Sequence, residues 1–172
     1  SFLAPLFCVA CGPADTVASA PIGEVPAAEK TPSSAVPELS SPSEWRAIES
    51  PSSANFRGVS AAAGVVWVSG SQGTVLRSID GGVSFSAHQV PGAEALDLRD
   101  VHAFSVDEAV VLSAGSPAKV FRTDDGAKTW TPSYANEHPD IFYDAMDFWD
   151  EQRGLAMGDP IDGHFMLMET RD

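Results

Sequence analysis

Cysteine, basic residues and long apolar runs are all scarce in this sequence of 172 residues. The two cysteines, Cys8 and Cys11, both precede residue 12, which argues against a disulfide scaffold and against a cysteine-based zinc site. No apolar run approaches the roughly 18 residues of a membrane span. Basic residues number 10 against 24 acidic ones, and the net charge of -14 repels phosphate backbones, so nucleic acid is not expected as a partner.

Glycine and proline, by contrast, are plentiful, with 14 and 13 copies. Proline breaks helix interiors and glycine favours tight turns, so this content argues against a helical bundle. Hydrophobic residues make up 44% of the chain, which is enough for a packed core. The composition therefore predicts one turn-rich domain of ordinary size, or a part of a larger one.

Residues 1–11 are apolar and uncharged, as in the hydrophobic part of a secretory signal. Val9-Ala10-Cys11-Gly12 resembles a bacterial lipobox, in which the cysteine becomes the lipidated first residue, although Cys8 stands where that motif usually has leucine. The alternative is ordinary cleavage after Ala20, which Pro21 disfavours. We expect an exported protein, either periplasmic, in the outer membrane or secreted. Any membrane contact would run only through a lipid on Cys11.

Residues 12–53 consist mainly of Pro, Ala, Ser and Glu and show no periodic apolar pattern. Such a segment cannot bury enough surface to offset the entropy of ordering, so we predict a disordered linker. Trp45 and Ile48 are the exception, and they predict a short strand near residues 43–49 that docks on the folded part of the protein.

Limited proteolysis tests this division. We expect rapid cleavage within residues 12–43, because proteases cut unfolded backbone more readily than paired strands. A protected fragment should begin between about residues 44 and 56, as read by mass spectrometry. Protease resistance across the linker would contradict the prediction.

From Phe56 onwards, short β-branched runs alternate with glycine-rich turns. Val59, Val101 and Ala145 occupy equivalent places in three successive repeats, separated by 42 and 44 residues. A repeat of about 40–50 residues with four short strands is typical of a β-propeller blade. We predict an all-β propeller fragment over residues 54–172, with about two and a half four-stranded antiparallel blades. The chain is interpreted as truncated at its C-terminus, and the strand near 43–49 as one that closes the ring.

The first two repeats each contain a turn with a hydroxyl residue, an aspartate two positions later, and then a glycine and an aromatic residue, and the third repeat contains the first two of these. The residues are Ser78, Asp80, Gly82 and Phe85, then Thr123, Asp125 and Trp130, and finally Thr170 and Asp172. This pattern resembles the Asp-box, or BNR repeat, although Ala127 replaces its glycine. Asp carboxylates accept hydrogen bonds from N–H groups of their own turn, so we interpret these aspartates as structural rather than catalytic.

The turns between the second and third strands differ most between repeats, and loops on a rigid scaffold commonly carry binding residues. They provide the candidate binding positions, which are Ser71, Gln72, Ser116, Asp159 and Asp162. Residues 137–172 are strongly acidic, which predicts a basic partner. The four histidines have no metal-ligand spacing, and we predict neither a metal nor a cofactor. Trp67, Trp130 and Trp149 are predicted to be core residues rather than sugar-stacking platforms.

Three stretches, Phe56–Val59, Trp67–Thr74 and Arg77–Gly82, resemble the photosystem II assembly factor family and its bacterial relatives. The resemblance implies a protein-binding scaffold with no chemistry of its own, and it does not imply photosynthesis. A passive surface adhesin or spacer that binds a glycan is a related alternative.

An enzyme is the other alternative, namely a sialidase-like glycoside hydrolase of the Asp-box class. Sialidases carry the marker Phe/Tyr-Arg-Ile-Pro, from which Phe56-Arg57-Gly58-Val59 departs at its last two positions. They also need a Tyr paired with a Glu, and neither Tyr134 nor Tyr143 has an obvious one. Catalytic residues could lie in further blades. We therefore leave enzymatic activity open and favour its absence.

Overall fold

The computed structural model describes residues 47–172. The predicted export signal, Cys11, Trp45 and most of the predicted linker lie outside the described residues. Residues 47–55 form no strand, and the folded part begins at Phe56. The described residues contain no helix, and so none there that could cross a membrane. The strands are β1 (Phe56–Ala62), β2 (Val65–Gly70), β3 (Thr74–Ser78), β4 (Ser86–Gln89), β5 (Leu98–Ala103), β6 (Ala109–Ser113), β7 (Ala118–Thr123), β8 (Thr131–Asn136), β9 (Tyr143–Phe148), β10 (Arg153–Ile161) and β11 (His164–Arg171).

These strands form three antiparallel sheets in which each strand pairs with the next one along the chain. The first sheet contains β1 to β4, the second contains β5 to β8, and the third contains β9 to β11. We call them blades 1, 2 and 3. The all-β propeller architecture of about two and a half blades is thus confirmed.

The first hydrophobic core lies between blades 1 and 2. Trp67 and Val75 of blade 1 meet Val111 and Phe121 of blade 2, and all four are buried. Trp130 adds a T-shaped contact with Trp67, with ring centroids 6.3 Å apart. Because every residue of β6 is buried, this strand serves two cores, one on each face of its sheet.

The second core lies between blades 2 and 3. Val110 and Leu112 project from the other face of β6 and pack with Tyr143, Met146 and Ala156 of blade 3. A strand that is buried on both faces shows a continuous apolar run instead of alternation, and Ala109–Leu112 is such a run.

The third repeat is offset by one residue from its predicted alignment. Val101 pairs with Val111, and the corresponding residue in blade 3, Met146, pairs with Ala156. The equivalence of Val101 with Ala145 is therefore wrong. Met146 is 9% exposed and packs in the core, so burial of the larger side chain agrees with the observed register.

The three tryptophans do not share one environment. Trp67 is fully buried and Trp130 is partly buried beside it, as predicted. The prediction for Trp149 is wrong, because this side chain is 69% exposed. Trp149 follows β9 in the turn that leads to β10, where the chain has left the sheet.

The outermost strands of blades 1 and 2 are polar. β4 has the sequence Ser-Ala-His-Gln, and none of its residues is fully buried. β8 has the sequence Thr-Pro-Ser-Tyr-Ala-Asn and includes Pro132, which has no N–H group to donate.

Candidate functional site

Because consecutive strands of a blade are antiparallel, the turns that connect them lie alternately at its two opposite ends. One end carries the turn between the first and second strands and the turn between the third and fourth strands, and we call it the turn end. In blade 1 these two turns are joined by a hydrogen bond from the Gly81 amide to the Gly64 carbonyl, 3.0 Å long. The other end, which we call the loop end, carries the remaining turn and the connections between blades.

The turn after β3 is held by side-chain bonds to its own backbone. Asp80 Oδ1 accepts the amides of Val83 at 3.1 Å and Ser84 at 3.0 Å, and Asp80 Oδ2 accepts the Ser84 hydroxyl at 2.6 Å. The Ser78 hydroxyl donates to Asp80 Oδ1 at 2.7 Å and accepts the Gly82 amide at 2.8 Å. Every oxygen of the Asp80 carboxylate therefore has a partner inside the turn.

The turn after β7 repeats this arrangement. Asp125 accepts the amides of Lys128 and Thr129 and the Thr129 hydroxyl, and the Thr123 hydroxyl accepts the amide of Ala127. Ala127 stands in the left-handed region, with φ of 69°, where glycine would carry no side-chain strain.

Bonds from the neighbouring hydroxyl and amide, Ser84 for Asp80 and Thr129 for Asp125, lower the pKa of each aspartate from 3.8 to about 2. These carboxylates are thus committed to holding their turns. The third turn starts in the same way, since the Thr170 hydroxyl lies 3.1 Å from Asp172 Oδ1.

At the loop end, the first candidate position is partly structural. The Ser71 hydroxyl accepts the Asn55 amide at 3.0 Å, and the Ser71 amide donates to the Asn55 carbonyl at 2.9 Å. Gln72 is exposed and left-handed, with φ of 59°, and its carbonyl accepts the Gln89 side-chain amide. Gln72 therefore presents its side chain outward while its backbone is fixed.

The remaining candidate positions are exposed. The Ser116 hydroxyl donates to the Glu137 carbonyl at 3.2 Å. Asp159 was expected in the turn between the second and third strands, and this expectation is wrong, because β10 continues to Ile161. Only Asp162 and Gly163, with φ of 51° and 79°, form the turn, as in a tight two-residue hairpin. Asp159 projects from the end of this strand, so both carboxylates still lie at the loop end.

A second feature of the loop end is a β-bulge near the start of the first strand of each blade. The register shifts at Arg57 in β1, at Arg99 in β5 and at Asp144 in β9. A bulge redirects the side chain of its extra residue, and bulges are frequent beside functional sites. Three blades thus present one charged residue each at the same structural position.

These bulge residues link neighbouring blades through ion pairs. Arg57 Nε lies 3.2 Å from Asp97 Oδ2, and Arg99 Nη2 lies 3.0 Å from Asp144 Oδ1. The four side chains are between 32% and 40% exposed. Arg99 also lies over the ring of Phe142, 5.4 Å from its centroid. The loop end therefore carries a ladder of half-exposed, alternating charges.

Sequence reasoning missed this ladder. The predicted equivalence of Val59, Val101 and Ala145 also aligned Arg57 with Arg99, but it placed Tyr143 beside them instead of Asp144. The recurrence of an arginine two positions before Val59 and before Val101 was the available signal.

Asp100 connects β5 to β9 behind the ladder. Its Oδ2 accepts the Met146 amide at 2.8 Å, and burial raises the pKa of this carboxyl.

Tyr134 and Tyr143 contact each other, with their hydroxyl oxygens 3.4 Å apart, and the Asn136 side-chain amide donates to the Tyr134 hydroxyl. Burial raises the pKa of Tyr143 to about 12. In residues 47–172 these tyrosine hydroxyls bond to each other and to Asn136 rather than to a glutamate.

Within residues 47–172, no group of three or more His, Cys, Asp or Glu residues is placed to hold a metal ion. The loop end carries exposed carboxylates, half-exposed arginines and polar turns.

Comparisons with known proteins concern the fold. No family model and no curated protein matches the sequence. YCF48 from Cyanidioschyzon merolae matches in structure, with a TM-score of 0.60 and 17% identity over 75% of this chain. The chain shares the fold of YCF48. A structure of YCF48 bound to D1 peptide matches with a TM-score of 0.50 and 18% identity over 71% of this chain. The matches span 40% and 43% of the YCF48 chains.

Proposed function

We propose that this protein is a binding or assembly scaffold that holds a protein partner at the loop end of its blades and performs no chemistry itself. Export through residues 1–11 and lipid attachment at Cys11 are the second part of this proposal and rest on the sequence alone. The single observation that carries the binding function is the contrast between the two ends of the blades.

The turn end is occupied by its own hydrogen bonds. Asp80 and Asp125 direct their oxygens into their turns, which leaves them little capacity for a ligand. At the loop end the bulges bring charged side chains to a half-exposed position, and Asp159 and Asp162 are exposed. Rigid strands with recognition groups at one end are the usual arrangement of a binding scaffold.

A protein partner agrees with the structural neighbours. One of them is a structure of YCF48 bound to D1 peptide. For the present chain, the acidic loop end of blade 3 favours a partner segment that carries lysine or arginine. Among the described residues, neither Asp159 nor Asp162 forms an ion pair, so both are available for complementary charge.

Replacing both Asp159 and Asp162 with asparagine tests the site. We expect the association rate with lysine-rich and arginine-rich extended peptides to fall roughly two- to fivefold at low salt, because complementary charge mainly accelerates encounter. The difference should shrink as salt shortens the Debye length below about 8 Å. Surface plasmon resonance on immobilised peptides measures the rates. The melting temperature should stay nearly unchanged, since both side chains are exposed.

The double variant Asp124→Asn, Glu151→Gln is the matched control, because it also removes two exposed carboxylates, both at the turn end. Equal slowing by this control would mean that only net charge matters. Preferential binding to a glycan array, or glycoside hydrolysis abolished by one carboxylate substitution, would contradict the proposed function.

A further inference from the structure

The dipeptide Asp-Gly occurs three times in the chain, at Asp80, Asp125 and Asp162. An aspartate in this position can isomerise, because glycine has no side chain to hinder attack by its own backbone nitrogen. That nitrogen attacks the side-chain carboxyl carbon of the aspartate, its proton leaves with the carboxyl hydroxyl as water, and a five-membered succinimide ring forms. Water then adds to either ring carbonyl, and the product is aspartate again or isoaspartate, in which the main chain runs through the side-chain carbon atoms.

Ring closure requires a glycine nitrogen that is free to approach the carboxyl carbon. The Gly81 amide instead donates to the Gly64 carbonyl at 3.0 Å, and the Gly126 amide donates to the Asp107 carbonyl at 2.9 Å. Each of these bonds joins the two turns at the turn end of one blade. The nitrogen can therefore attack only after this bond has broken.

Ring closure also requires a protonated carboxyl that can rotate, because water leaves readily only from that form. Asp80 and Asp125 each accept bonds from two backbone amides and two hydroxyls. Bonds from the hydroxyl and amide of Ser84 and of Thr129 lower the pKa of these two aspartates from 3.8 to about 2. At mildly acidic pH, each is therefore protonated at least about tenfold less often than an ordinary aspartate.

Neither restraint is present at Asp162. This residue and Gly163 form the two-residue turn between Ile161 and His164, which pair across β10 and β11. Within residues 47–172, no hydrogen bond or ion pair holds the Asp162 carboxylate, and no turn or loop bond uses the Gly163 amide. A Cβ atom added at Gly163 would meet no atom within 4 Å, so the turn has room to rearrange. Exposure alone does not separate the sites, because Asp80 is also exposed.

We propose that Asp162 is a site of spontaneous isoaspartate formation, and that the hydrogen bonds of the turns after β3 and β7 protect Asp80 and Asp125 from the same reaction. Isoaspartate adds one methylene carbon to the main chain of a two-residue turn and moves the free carboxylate. The modification therefore changes the shape of the loop end of blade 3 and the position of its charge. Its effect on a partner rests on the proposed function, whereas the reaction itself does not.

Incubation of the full 172-residue chain for weeks at mildly acidic pH, followed by trypsin digestion, tests the proposal. The three aspartates fall in separate tryptic peptides, 78–99, 123–128 and 154–171. Liquid chromatography with electron-transfer fragmentation identifies isoaspartate, whose mass equals that of aspartate. We expect isoaspartate at Asp162 to accumulate at least about tenfold faster than at Asp80 or Asp125, in line with the difference in protonation.

The same incubation in urea is the control, because unfolding removes the protecting bonds while the sequence stays the same. The ratio of rates between the sites should then approach one. Asp162→Glu, which keeps the charge but needs a slower six-membered ring closure, should abolish the signal from peptide 154–171. Absence of isoaspartate at Asp162, equal rates at the three sites in the folded chain, or an unchanged ratio in urea would overturn the proposal. None of these readouts measures peptide binding, so the proposed function is tested separately.

Discussion

Replacing Trp67 with alanine is expected to lower the free energy of unfolding by about 3–5 kcal/mol, the usual cost of removing a large buried aromatic side chain. Trp67 is fully buried between blades 1 and 2. Its Nε1 donates to the Ser105 carbonyl at 3.2 Å, and Arg77 lies 5.4 Å from the ring centroid. The substitution therefore removes a core side chain, an aromatic contact and a bond between blades together. Urea unfolding followed by circular dichroism measures the change.

Trp149→Ala is the control for this experiment. The Trp149 side chain is 69% exposed, and surface substitutions usually change stability by less than about 0.5 kcal/mol. A large loss for Trp149→Ala, or a small one for Trp67→Ala, would mean that the junction between blades 1 and 2 does not limit stability.

Replacing Asp80 or Asp125 with alanine should lower the melting temperature by roughly 5 °C or more, and the double substitution should lower it further. Each change deprives two backbone amides and two hydroxyls of their acceptor. Differential scanning calorimetry measures the effect, and Asp124→Ala, which removes an exposed carboxylate from the same turn, is the control. Binding at the loop end should be unchanged in the folded fraction. Lost binding with unchanged stability would show that these aspartates have a ligand role.

The same carboxylates predict a dependence of stability on pH. Their pKa falls from the ordinary 3.8 to about 2 on folding, so the folded state favours the ionised form. The contribution of these two carboxylates to the free energy of unfolding is complete well above pH 3.8, and it is lost as the pH falls from 3.8 towards about 2. The Asp80→Ala, Asp125→Ala double variant should lose less stability than the unaltered protein over this range.

The repeat and its strands could be predicted because their signals are local. Glycine pairs, hydroxyl–aspartate turns and short apolar runs such as Val65–Val68 fix each hairpin within about twenty residues of chain. Two complete copies in phase then made the propeller architecture the best interpretation. Trp67 was assigned to the core for the same reason, since it lies within an apolar strand.

Contacts between blades could not be predicted, because the hydrogen bonds between them join residues that lie 29 to 49 positions apart. The offset that makes Asp144, and not Tyr143, the counterpart of Arg99 depends on how Met146 packs against blade 2. The extension of β10 past Asp159 depends on pairing with β11, where Pro160 lies opposite Phe165. Trp149 was predicted to be a core residue from its residue type, but its side chain is exposed because β9 ends at Phe148, one residue earlier.

The polar outer strands affect how the protein behaves at high concentration. An outer strand presents unpaired backbone groups, and these can recruit strands from other molecules and start aggregation. β4 offers few apolar side chains to such a contact, and Pro132 in β8 removes one donor. The outer strands of blades 1 and 2 are therefore protected against edge-to-edge association.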